Sequence, residues 1–192
     1  MRFTQLASGF CLLSMSLQAQ IALLTAYDHA PSASTSAAMA AELSGLFQST
    51  GVEITLRPEA PWVYLGSPRH VLYVSFHGNC EYAHRVLSAP RGRVLAKLAT
   101  VNGEVQPLMS VDCDAVARTM APYMSGAELR QSSRVFGRAL ARVVAHEVFH
   151  WVAHQVTHRH SELFSEAMSG RTLLADHASF DAEETKLLRV SR

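Results

Sequence analysis

Charge is scarce in this chain of 192 residues: 17% are Asp, Glu, Lys or Arg, and the formal net charge is +1. No Lys/Arg cluster has aromatic residues interleaved with it, so the sequence lacks the basic, stacking surface that nucleic-acid binding requires. Long apolar runs are missing as well. The stretch from Leu6 to Leu17 falls short of the roughly 20 residues that a membrane-spanning helix needs, and no stable span is expected in the mature chain. Cysteine is rare, at three residues, and no internal repeat is visible. A hydrophobic content of 48% describes a globular protein rather than a disordered one, with enough chain to bury one sizeable core.

The N-terminus reads as a secretory signal. Arg2 supplies the positive region, Phe10-Cys-Leu-Leu13 the apolar centre, and small residues follow. Cleavage is placed after Ala19 or near Ala26, giving an exported (periplasmic or secreted) single domain over residues 27–192; an uncleaved anchor reaching to Ala26 is the alternative. Cys11, preceded by Phe10, fits a lipoprotein site poorly and leaves with the signal. Cys80 and Cys113 remain, and an even pair in an exported protein suggests a disulfide, the alternative being two buried thiols.

Tyr27 to Thr35 reads as a flexible lead-in. Ser36 to Gln48 carries Met39, Leu43, Leu46 and Phe47 at three- and four-residue spacing, an amphipathic helix ended by Gly51. Val52 to Leu56 alternates as a strand does, and His70 to Phe76 is the strongest strand, expected at the centre of the sheet. Asn102-Gly103 marks a hairpin between Val94–Val101 and Glu104–Val111. Asp112 or Asp114 caps a helix through Met120, and Ser125-Gly-Ala-Glu128 is a capping box expected to open a long helix. Arg130, Arg134, Arg138 and Arg142 fall on one face of that helix and read as a solvated stripe. Shorter helices follow over Ser161–Leu174 and Asp181–Val190. This order is α+β: one sheet with helices on one side.

The chemistry concentrates at His146-Glu147-Val148-Phe149-His150, a H-E-x-x-H run inside the long helix. Residues four apart on a helix project from one face at about 6 Å, so two imidazoles can share one zinc. Glu147, about 100° round from His146, flanks the metal without binding it. There it can hold a water molecule and take its proton, the arrangement that metal-assisted hydrolysis uses. Zn²⁺ is the cofactor expected. The opposing interpretation is a His-rich helix face with no metal.

This run resembles the zinc-binding helix of the zincin metallopeptidases. A wider pattern is similar to small secreted zincin-like proteins of bacteria: Gly78-Asn-Cys80, Val111-Asp-Cys-Asp114 and Gly137-Arg-Ala-Leu-Ala-Arg-Val-Val-Ala-His-Glu147. The resemblance implies an N-terminal helix and a small twisted mixed sheet backing the zinc helix, with a helical tail. It also implies that His146 and His150 are ligands and Glu147 the general base, and that an edge strand of the sheet takes an extended peptide by strand addition. That edge is Glu104–Val111 or its hairpin partner.

The third ligand needs a turn in the chain. On a continuous helix His154 would lie about 12 Å and His158 about 18 Å along the axis from His146, too far to close a tetrahedron, so the helix must stop soon after His154. One zincin branch turns at a glycine, but this chain has none from 138 to 169 and carries Val156 where that branch has its last His. In the secreted group that the chain resembles, a His follows the second ligand after seven residues, which lands on His158. His160, His154, Glu162 and Glu166 are the alternatives.

The sequence therefore predicts an exported zinc-dependent hydrolase acting on a peptide or protein substrate. Its rivals are a zincin-like protein that binds metal without turnover, and an interaction domain whose histidines are incidental. Other polar residues take quieter roles: His70, His77 and His84 are structural or surface residues. Asp112 and Asp114 are helix caps, and Met168 is core. Trp151 and Phe149 set how dry the site is. Tyr73, Tyr82 and Tyr123 could donate to an oxyanion, but nothing in the spacing selects one.

Overall fold

The structure, a computed structural model, describes residues 19–58, 70–82, 94–154, 163 and 168–190. Its first element is a strand, β1 (Ala19–His29), in the stretch that the sequence assigns to the leader and a flexible lead-in. Ile21, Ala22 and Leu23 are buried there because β1 pairs in parallel on both sides, with β2 (Val52–Pro58) and β3 (His70–Asn79). A run of successive apolar residues in an interior parallel strand also marks the end of a signal sequence. A cut near Ala26 would divide β1, whereas one after Ala19 removes only its first residue.

Among the described residues the sheet has five strands, in the order β2-β1-β3-β5-β4. β5 (Glu104–Asp112) runs parallel to β3, and β4 (Ala96–Val101) closes the sheet as an antiparallel edge. Among the described residues the hairpin partner is thus the edge strand and β5 is interior. Asn102 and Gly103 both have positive φ, 52° and 83°, the backbone that a two-residue hairpin turn needs to match the twist of its strands. β3 lies at the middle of the sheet, as its composition predicts. Its Leu72, Val74 and Phe76 face the core; Tyr73, pointing the other way beside Leu108 of β5, is 44% exposed.

Six α-helices lie among the described residues. α1 (Ala33–Gln48) is capped by the Ser32 hydroxyl, which accepts from the Thr35 N–H. α2 (Cys113–Met120) is capped by Asp112, accepting from the Ala115 N–H at 2.8 Å. The Ser125–Glu128 capping box forms, but it opens only the short α3 (Gly126–Arg130). Gln131 leaves helical geometry at φ −119°, ψ 29°, and the long helix α4 (Ser132–Ala153) starts afresh. α5 (Gly170–Leu174) and α6 (Ala182–Val190) complete the set, α5 being shorter than the sequence suggests.

α4 packs against α1, β4 and β5. The approach to α1 is close at Gly137, where an added Cβ would sit 2.3 Å from the Thr35 carbonyl oxygen and 2.9 Å from Ala38 Cβ. The arginine stripe is solvated only at its start: Arg130, in α3, and Arg134 are exposed, whereas Arg138 and Arg142 are not. Arg142 is fully buried; it donates to Glu42 of α1 at 2.7 Å and to the Thr172 and Leu173 carbonyls at 2.9 and 3.2 Å. Arg138 lies 3.4 Å from the same carboxylate and donates to the Ala175 and Asp176 carbonyls. These arginines tie α4 to α1 and to the end of α5, replacing water with carbonyl and carboxylate oxygens.

Cys80 and Cys113 are joined by a disulfide, with Cα atoms 5.1 Å apart, linking the end of β3 to the start of α2. Beside it, the Glu81 carboxylate accepts from the Ser32 N–H and from the Ser133 hydroxyl, so the N-terminal ends of α1 and α4 meet at one acid. These hydrogen bonds, opposing the effect of burial, leave that carboxyl below its ordinary range. No helix of the described residues is long and apolar enough to cross a membrane.

Candidate metal centre

α4 is apolar on nearly every side for its last four turns: Leu140, Val143, Val144, Val148 and Phe149 are buried in the core. A helix so enclosed gives its polar side chains few rotamers and little water. His146 and His150, each 6% exposed, lie one turn apart on it. Their Nε2 atoms stand 3.1 Å apart. Two nitrogens on one tetrahedral zinc, each about 2.0–2.1 Å from the metal, are separated by about 3.3 Å. The two rings therefore already converge to within a few tenths of an ångström of the spacing of a shared cation.

The other nitrogen of His146 is engaged too. Nδ1 lies 2.8 Å from the Leu163 carbonyl oxygen. A carbonyl only accepts, so Nδ1 carries the hydrogen and the lone pair of the neutral ring belongs to Nε2. This is the outer partner by which ligating histidines are commonly oriented.

Glu147 is the least buried of the three motif residues, yet it is still largely removed from water. Burial pushes its carboxyl up to about 7, while a hydrogen bond from the Leu98 backbone pulls the other way. Leu98 lies in β4, so the carboxylate meets the outermost strand of the sheet. An N–H that reaches Glu147 is directed away from β5. Along an antiparallel strand a residue's N–H and C=O point to the same side, so the side of β4 that has no strand partner among the described residues faces Glu147. Just beyond Leu98 the ladder shifts register before Thr100, where Gln106, Pro107 and Leu108 of β5 stand opposite the single residue Ala99 of β4; Pro107, without an N–H, fits that bulge.

α4 ends where the sequence requires. Its last residue is Ala153, and His154 adopts the left-handed conformation with φ 50° and ψ 35°. Histidine takes the place that a glycine fills in other helix ends, one of the few residue types for which this region is not rare. The chain is back against α4 by Leu163, which is 1% exposed and bonded to His146.

The predicted site residues divide accordingly. His146, Glu147 and His150 come together; His158, with the alternatives His160, Glu162 and Glu166, lies outside the described residues. His154 does not join the pair: no group of three or more His, Cys, Asp or Glu side chains that could hold a metal occurs among the described residues. Of the oxyanion candidates, Tyr73 faces away from the helices, Tyr82 leans on Phe136, and Tyr123 lies under the Arg171 guanidinium. His70 packs edge-on to Trp151, His77 pairs with Asp28 at 3.4 Å, and Met168 is half-buried against the core. His84 lies outside the described residues. Asp112 caps α2, while Asp114 accepts from the Asn79 N–H.

Two contributors were missed by sequence reasoning, the Leu98 and Leu163 main chains. A backbone group can come from any residue type, so composition carries no signal for it. The donor chemistry of His146 and His150 fits a borderline-soft divalent cation such as zinc. Comparison of the chain with family models, with curated proteins and with solved structures returned no match.

Proposed function

We propose that the protein is an exported zinc-dependent hydrolase, a peptidase of zincin type. The observation that carries this is the convergence of the His146 and His150 Nε2 atoms at 3.1 Å, with the His146 tautomer set by the Leu163 carbonyl. His146 and His150 would hold zinc, and His158 is the third ligand of the proposal. When bound, zinc supplies a Lewis acid that polarises a carbonyl and acidifies water.

The chain's own residues do the rest. Glu147, held at one side by Leu98, accepts a proton from the attacking water and returns it to the leaving amine. An extended substrate would lie along β4, adding a strand at the edge that opens to Glu147. The buried faces of Val148 and Phe149 keep bulk water from the reacting groups. Export rests on the leader reading and the Cys80–Cys113 disulfide.

Metal analysis of the purified protein, paired with cleavage of a peptide library, tests this. The wild type is expected to carry about one zinc per chain and to cleave. Glu147→Gln keeps zinc and loses cleavage, and His150→Ala and His158→Ala lose zinc. Retained cleavage by Glu147→Gln removes that residue from the mechanism. Zinc without cleavage, even at high protein concentration, favours a metal-binding protein without turnover. Less than about 0.1 zinc per chain, with no loss of stability on chelation, overturns the metal centre.

A further inference from the structure

The Leu163 carbonyl is not part of α4. It comes from the chain after the left-handed turn at His154, and it reaches His146 Nδ1 at 2.8 Å within a buried environment. Its own side chain is 1% exposed and belongs to the hydrophobic core. The position of the carbonyl is thus fixed by the seating of the side chain, which shares its Cα. A neutral imidazole has a single hydrogen to place. With an acceptor fixed at Nδ1, the hydrogen goes there, and Nε2 is the nitrogen with a lone pair directed towards His150.

We infer that Leu163 is a positioning residue: seated in the core, it holds its main-chain carbonyl against His146 Nδ1 and so sets the tautomer that presents Nε2 to a divalent cation. The inference rests on the reading of His146 and His150 as a cation site, and not on hydrolysis.

Leu163→Ala removes the seat without changing the backbone chemistry. Loss of an outer-shell partner typically weakens metal affinity by about 10–100-fold, and that is the change expected in zinc competition against a chromophoric chelator. Leu163→Met, close in volume, restores affinity to near the wild-type value. Cobalt substitution should show a broadened or weakened visible spectrum in the Ala variant and a wild-type spectrum in the Met variant. Unchanged zinc affinity and cobalt spectrum in Leu163→Ala, with only a lower melting temperature, overturns the inference and leaves Leu163 as core.

If Leu163→Ala does not fold, the tautomer decides. Long-range ¹H–¹⁵N correlation of the imidazoles in the metal-free wild type, assigned through His146→Ala, is expected to place the hydrogen of His146 on Nδ1. A hydrogen on Nε2 overturns the inference. Should the wild type bind no zinc at all, the cation-site reading fails, and the inference with it as a statement about metal. The same spectrum still reports separately whether Leu163 sets the tautomer.

Discussion

Arg142 and Glu42 form an ion pair 2.7 Å long in which the guanidinium is wholly buried, one helical turn before His146. A buried pair contributes little net stability compared with apolar packing, but breaking it strands a charge and costs about 3–5 kcal/mol. Arg142→Ala is expected to lower the melting temperature by roughly 6–20 °C. Arg142→Lys should recover only part of this, since an ammonium cannot reach Glu42 and the Thr172 and Leu173 carbonyls through one planar fork. Thermal unfolding followed by circular dichroism checks both; a tolerated Arg142→Ala would show that the residue is solvated after all.

Gly45 and Gly137 sit in neighbouring helices and should respond to alanine with opposite signs. An added Cβ at Gly45 meets nothing within 4 Å, so Gly45→Ala stabilises by about 0.5–1 kcal/mol through helix propensity. At Gly137 it runs into the Thr35 carbonyl and Ala38. There the overpacking cost of about 1–3 kcal/mol outweighs the same propensity gain. Urea unfolding of the two variants measures the difference directly.

The metal-free protein should lose stability as pH rises. Glu147 titrates near 7 when folded, against an ordinary value of 4.5, so the folded state holds its proton more tightly than the unfolded chain does. Stability from this group is full below about pH 4.5 and is lost as pH rises through about 7, a change of roughly 3 kcal/mol by pH 8. In the presence of a chelator, Glu147→Gln should therefore match the wild type at pH 5 and be the more stable at pH 8. Equal stability of the two at both pH values would mean that the carboxylate is well solvated.

His154 should tolerate replacement by glycine. Its φ of 50° costs an L-residue about 1 kcal/mol that glycine does not pay, so His154→Gly is expected to raise stability slightly and to leave zinc content unchanged. Loss of zinc in this variant would make His154 a ligand and displace His158 from the proposal.

Reducing the Cys80–Cys113 link has a separate signature. The disulfide closes a long loop, and the Cys80→Ser/Cys113→Ser double variant is expected to lose about 2–4 kcal/mol in urea unfolding. It joins β3 to α2 rather than to the motif turn of α4, so zinc stoichiometry should be unchanged in the folded fraction.

Much of this fold is local chemistry and was legible in the residues. The helix over Met39, Leu43, Leu46 and Phe47, the Asn102-Gly103 turn, the cap at Asp112, the middle strand from His70 and the His146–His150 pair each follow from spacing or turn geometry within a few residues. The Cys80–Cys113 bridge follows from counting. What the tertiary structure alone decided is which groups from distant segments meet. That residues 19–26 form an interior strand was not legible, because such a strand and the end of a signal sequence share one apolar composition. Arg134 is exposed as its position predicts, but Arg138 and Arg142 looked solvated because their partners, Glu42 and the carbonyls from Thr172 onwards, are remote in the chain and mostly backbone. Leu98 and Leu163 reach the site through main-chain atoms that every residue carries, so their importance comes from position, and position is fixed only when the core closes around them.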